Sequence, residues 1–226
     1  IKTKRNEYKS AFCHGQANLK LHHYEDALND FKLADKLAKN DTDHSMADLL
    51  EAITLKEANK LDEALLHLRN SISRAQTNKT FKRLYLIETG ETLLLLSKYE
   101  DAANTFTEAF GLAANDDERA ANLDRAAYAY ASMKNFTKAI EFELKANLAY
   151  ERTGLLGEYA DSGINLALYY LEVNDLASAE RTLLKFENSS DPAAVDRARN
   201  RIERMKLELR DWLENLNDED SFQKTM

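Results

Sequence analysis

Five alanines, Ala27, Ala64, Ala102, Ala139 and Ala179, recur along this chain at intervals of 37, 38, 37 and 40 residues. Each has similar neighbours. Four positions on comes a large apolar residue (Phe31, Leu68, Phe106, Leu183), with Glu143 the exception. Seven on comes a small one (Ala34, Ser71, Ala109, Ala146), with Phe186 the exception. Twelve positions before every anchor stands another small residue: Gly15, Ala52, Gly90, Ala127 and Ala167. A period of this size with a small-residue code predicts stacked helical hairpins, because crossing helices need small side chains where their backbones approach. Gly15 and Ala27 are expected to face each other within the first hairpin, and Gly90 and Ala102 within the third.

The helices are expected to break inside each hairpin at His22-His23, Asn59-Lys60, Ser97-Lys98, Lys134-Asn135 and Asn174-Asp175. Between hairpins the breaks fall near Asn40 to Asp43, Thr77 to Thr80, Asn115 to Asp117 and Thr153-Gly154, whose polar side chains suit helix N-caps. Only 6 glycines and 1 proline occur in 226 residues, and no segment keeps the alternation of a strand. Beyond the fifth anchor, Asp191-Pro192 opens a charged amphipathic helix over 193–215, read as the cap of the last core face, before a polar tail. The domain reading is therefore an array over 1–188 and a capping helix with its tail over 189–226.

A net charge of −8 argues against a nucleic-acid partner, since binding backbone phosphate wants a basic face. The longest aliphatic run, Leu93 to Leu96, is far short of the roughly 20 residues a membrane helix needs. The single cysteine, Cys13, excludes an internal disulfide framework, suits a reducing, cytoplasmic setting and reads as a small packing residue. The chain begins at Ile1, which reads as a trimmed or processed form.

No catalytic constellation emerges. His22 and His23 are adjacent and cannot share one helical face, so no metal is assigned, and His14, His44 and His67 are scattered without cysteine partners. There is no Gly-rich phosphate loop, no G-x-S-x-G and no Cys-x-x-Cys, and Asp116-Asp117 reads as a solvated loop. The expectation is a protein without catalytic residues, metal or cofactor.

Surface recognition remains. The first helix of each hairpin should line an inner, concave face. The partner-binding candidates there are Phe12, Leu49, Ile53, Ile87, Glu91, Leu94, Tyr128, Ile164, Leu168 and Leu171. An apolar groove of this kind suits protein helices or peptides.

The sets Gly15/Ala27/Phe31/Ala34 and Gly90/Ala102/Phe106/Ala109 resemble the tetratricopeptide repeat, over about residues 8–188. The resemblance implies an all-α fold, a right-handed α-solenoid of about five hairpins plus the C-terminal capping helix. Its period exceeds the family's roughly 34 residues, and the usual closing proline is missing. The inner positions Phe12, Gln16, Leu49 and Ile53 do not match that family's Lys/Asn clamp for peptide carboxylates. The stretch Asn135 to Ala139 with Lys145 and Tyr150, then Asn174 to Leu176 and Ala179 to Arg181, resembles the C-terminal half of soluble NSF attachment proteins of the gamma type. The layout of Leu209 to Phe222 is similar to that family's terminal helices. This second resemblance implies an adaptor in vesicle transport, between a SNARE bundle and a hexameric ATPase, peripheral to membranes. Two alternatives stand beside it: a peptide-sensing repeat domain of a bacterial regulator, and a structural assembly subunit.

Overall fold

A computed structural model describes residues 2–185 and the isolated positions 204, 207, 208 and 210. The expected capping helix (those four positions apart), the tail and the expected boundary after residue 188 lie outside the described residues. Ten helices follow one another: α1 (Lys2–Lys20), α2 (Tyr24–Leu37), α3 (Asp41–Glu57), α4 (Leu61–Arg74), α5 (Lys79–Leu95), α6 (Tyr99–Gly111), α7 (Asp116–Ser132), α8 (Phe136–Thr153), α9 (Leu156–Glu172) and α10 (Leu176–Leu184). No strand occurs among the described residues. The chain forms two compact units, residues 1–134 and 135–226. In the first, α1 to α7 pack sequentially, each on the next, and α3 also touches α5; in the second, α9 packs against both α8 and α10.

The anchor spacing has a local origin. Each hairpin turn begins with a residue in the left-handed region: His22 at φ 59°, Asn59 at 58°, Ser97 at 57°, Lys134 at 58° and Asn174 at 59°. In the first turn the His22 N–H donates to the Leu19 carbonyl and the His23 N–H reaches back to Asn18. The Asn59/Lys60, Ser97/Lys98 and Asn174/Asp175 turns repeat this pair of bonds, the Schellman ending of a helix. The second residue of the turn then accepts the first bond of the next helix, and its donor is the anchor: Ala27 to His23, Ala64 to Lys60, Ala102 to Lys98, Ala139 to Asn135, Ala179 to Asp175. The turn thus fixes the phase of the second helix, and all five anchors are completely buried.

Second helices start in two chemically different ways. In α2, α4 and α6 the cap residue has no side-chain bond, and an acidic pair (Glu25-Asp26, Asp62-Glu63, Glu100-Asp101) meets the positive end of the helix dipole. In α8 and α10 that pair is absent, and the side chains of Asn135 and Asp175 accept from the N–H groups of Lys138 and Ser178 instead. Between hairpins, Asn40, Asn78 and Asn115 cap α3, α5 and α7 as expected. Asp116 and Asp117, expected in a loop, lie in the first turn of α7. Cys13, expected as a packing residue, is exposed on α1.

The early small residues are all buried, and in the first three hairpins each meets a partner of matching size. Gly15 and Gly90 stand against phenylalanine rings, while hairpin two pairs Ala52 with Leu68 in one core cluster. Glu143, at the corresponding position of α8, is buried as well.

Candidate functional site

In the first unit the odd-numbered helices α3, α5 and α7 are tied side by side by a charge ladder. The Lys56 ammonium of α3 donates to Glu88 and to Glu91 of α5, each at 2.6 Å. Glu91 turns its other oxygen to Arg125 of α7, whose Nε lies 3.4 Å away, and Arg125 also donates to the Ala121 carbonyl at 3.2 Å. Burial alone would lower the pKa of Lys56, but the two carboxylates outweigh it and hold it above the ordinary lysine value. Burial pushes Glu88 up, and Lys56 offsets this only in part. The ladder is a sequence of charges that satisfy one another, which makes it a poor acid/base device and a strong clasp between repeats.

The expected partner-binding residues divide around this ladder. Ile53, Ile87 and Leu94 are half-buried and Glu91 is a ladder member. Tyr128 is 57 % exposed, and its neighbour in the same layer, Leu95, is 61 % exposed. Leu49 corrects the expectation: it is 7 % exposed, in a core cluster with Ala52, Leu68, Phe81 and Tyr85. Its position, three residues before the early small residue, turns into the seam between α3 and α5. Phe12 is half-buried, 5.7 Å from the Tyr8 ring and 6.1 Å from that of Phe31, so most of its face is spent on packing. In the second unit Leu168 is 39 % exposed and Leu171 is half-buried. Ile164, at the same register as Leu49, is 3 % exposed beside Ala160 and Ala167, so it too leaves the candidate set.

A second polar cluster escaped the sequence. Asp48 of α3 accepts from Ser71 Oγ at 2.5 Å, from Arg74 Nη2 at 2.7 Å and from Tyr85 at 3.3 Å. His67 Nε2 lies 2.9 Å from the same carboxylate, and its Nδ1 is 3.9 Å from Glu51. Burial pushes the Asp48 carboxyl up, but the bonds from His67 and Ser71 and the charges of His67 and Arg74 bring it below the usual aspartate value. Burial would likewise lower His67; Asp48 and Glu51 hold it above the ordinary histidine value. Tyr85 is pushed up by burial and by the Asp48 charge. Asp48, Ser71, Arg74 and Tyr85 line a cavity of about 740 Å³ together with His44 and Lys79. The Asp48 carboxylate is saturated with donors and offers no free base. The available signal was an aspartate four residues before Ala52, on the packing side of α3.

His22 and His23 are exposed, and His22 Nδ1 meets the Tyr24 hydroxyl at 2.9 Å. Among the described residues no group of three His, Cys, Asp or Glu could hold a metal ion, and no helix is long and apolar enough to cross a membrane.

No family model matches the chain, and no curated protein matches it in sequence. Solved structures do. The crystal structure of aspartyl phosphate phosphatase F from Bacillus subtilis matches with a TM-score of 0.74 at 15 % identity, over 87 % of this chain. This chain spans only 55 % of that protein's length. MamA from Desulfovibrio magneticus RS-1 matches at 18 % identity and a TM-score of 0.62, over 79 % of this chain and 92 % of that one. The nearly identical TPR-like repeats of a Podosopora anserina kinesin light chain match at 12 % identity and a TM-score of 0.65, over 88 % and 96 %. The fold is that of the tetratricopeptide repeat proteins, all-α and built of tandem hairpins.

Proposed function

We propose that this chain is a non-catalytic scaffold that holds a partner protein on the odd-helix face of residues 1–134. One observation carries the reading. Tyr128 and Leu95 stay open to solvent beside a ladder in which Lys56, Glu88, Glu91 and Arg125 are spent on one another. Large apolar groups left exposed beside a neutralised polar strip mark a surface built to be covered. The test is random-peptide display on the purified chain, with counter-selection on a Leu95→Glu/Tyr128→Glu variant. Both side chains are exposed, so the variant keeps its helicity. Peptides enriched on the parent and lost on the variant are expected; enrichment indifferent to the two substitutions sinks the proposal.

The narrower reading, an adaptor between a SNARE bundle and a hexameric ATPase, rests on the sequence resemblance of residues 135–150 and 174–181 and the layout of 209–222. Retention of an assembled SNARE bundle and its ATPase on the immobilised chain supports it, and retention of neither removes it.

A second reading, a peptide-responsive regulatory array, has one observation in its favour. The match to aspartyl phosphate phosphatase F covers nearly all of this chain and about half of that protein. On this reading the chain alters the lifetime of an aspartyl phosphate on a partner protein without supplying a nucleophile. An unchanged lifetime at saturating chain concentration excludes it.

A further inference from the structure

The side chains that bridge neighbouring odd helices occupy a fixed register. Lys56 stands four residues after the early small residue of its hairpin, and Glu91 one residue after that of the next. Their 2.6 Å contact shows that these two positions meet across the layer. Leu19 and Ile53 hold the same two positions between α1 and α3, and Leu94 and Tyr128 hold them between α5 and α7. The face therefore carries three rungs at one level: apolar, charged, apolar. Packed helices stand about 8–10 Å apart, and because the odd helices touch one another more sparsely than hairpin partners do, the upper end applies and the two apolar rungs lie about 20 Å from each other. An extended chain rises about 3.3 Å per residue and covers that distance in about six residues.

The middle rung specifies what can lie between them. Lys56 is held by two carboxylates, and Glu91 is shared with Arg125. A charged residue placed there would be repelled by one member of the ladder or would have to break it, at a desolvation cost that an exposed pair does not repay. Arg125 still has a donor to offer: its Nη2 bonds to no group among the described residues. Resting on the scaffold reading above, we infer that the occupant is an extended peptide segment of a partner protein with two large apolar side chains six residues apart, the even spacing that keeps both on one side of an extended chain. The residues between them are uncharged and present carbonyl or amide oxygen to Arg125. A helical occupant would need the same two side chains about 13 residues apart, at 1.5 Å per residue.

The probes are synthetic labelled peptides with two leucines separated by three, six, nine or twelve positions and Ser, Gln and Gly elsewhere. Two further versions of the six-spaced peptide carry Lys or Glu in the middle. Anisotropy titrations of the full chain are expected to show the six-spaced neutral peptide binding about tenfold tighter than the three- and nine-spaced ones, as the loss of one apolar anchor dictates. Either central charge, or Tyr128→Ala with Leu94→Ala, removes the preference. Equal affinities at all spacings, tightest binding at twelve, or no binding by any probe overturns the inference. If the display selection still yields face-dependent peptides in those cases, the scaffold reading stands and only this occupant falls.

Discussion

The ring of Phe31 fills the space that a β-carbon on Gly15 would need: an atom built there lies 2.6 Å from the ring edge. Phe106 stands over Gly90 in the same way, at 2.5 Å. Hairpin two solves the crossing with Ala52 and the smaller Leu68. Because Phe31 is fully buried, its ring has nowhere to retreat. Gly15→Ala is expected to destabilise by about 1–3 kcal/mol, and adding Phe31→Leu to recover much of that by recreating the pair found in hairpin two. Urea unfolding of the two single variants and the double variant checks it; additive losses would show that the two sites do not share the crossing.

Asp48 is the hub of the second and third hairpins, so Asp48→Asn leaves His67 and Arg74 without their carboxylate. A loss of about 3–5 kcal/mol is expected. The pH dependence has a definite sign. Asp48 is depressed on folding, so its contribution is complete above the ordinary aspartate value of 3.8 and fades as pH falls through the lower folded value. His67 is raised, so its contribution is complete below 6.5 and fades as pH rises through the higher folded value. Both are complete between those pH values. A Tm series against pH is expected to fall on the alkaline side for the parent chain and to lose that limb in His67→Gln.

Removing Lys56 exposes the repulsion it hides. Lys56→Met places Glu88 and Glu91 together without a cation between them, and a loss of about 3 kcal/mol near neutral pH is expected. Glu88 already sits above the ordinary glutamate value of 4.5, and the variant raises it further. An acid whose folded pKa is raised takes up its proton in the folded state first, so the deficit should shrink as pH falls toward that value. Circular dichroism melts of parent and variant at neutral and acid pH measure the closing gap. A gap independent of pH would assign the loss to packing of the lysine stem.

The turns leave stability unused. Ser97 holds φ 57° with an ordinary side chain, where glycine carries no steric penalty. Ser97→Gly is expected to stabilise by about 0.5–1 kcal/mol, and Asn59→Gly by less, because asparagine already tolerates this conformation. Shifts of the urea midpoint compare them directly.

The repeat was legible because a close helix crossing accepts few residue types, so Gly15, Ala27, Gly90 and Ala102 carry a signal that a single chain displays. The left-handed turn at Lys134 was legible only as a break, since lysine has no preference for that conformation. Leu49 and Ile164 read as surface because a solvent face and a seam between neighbouring helices call for the same leucine or isoleucine. Asp48 draws partners from 19 to 37 residues away on two other helices. No sequence period links them, because a buried network is built from geometry that occurs once.

The bond from each anchor alanine to its own turn means that every hairpin carries its phase reference within itself. A ribosome delivers about 5–20 residues per second, so a hairpin of this length emerges every few seconds. Contacts this local close in far less time than that. Each hairpin can therefore settle its internal alignment before the next one exists, and the array grows by docking finished units onto a finished end.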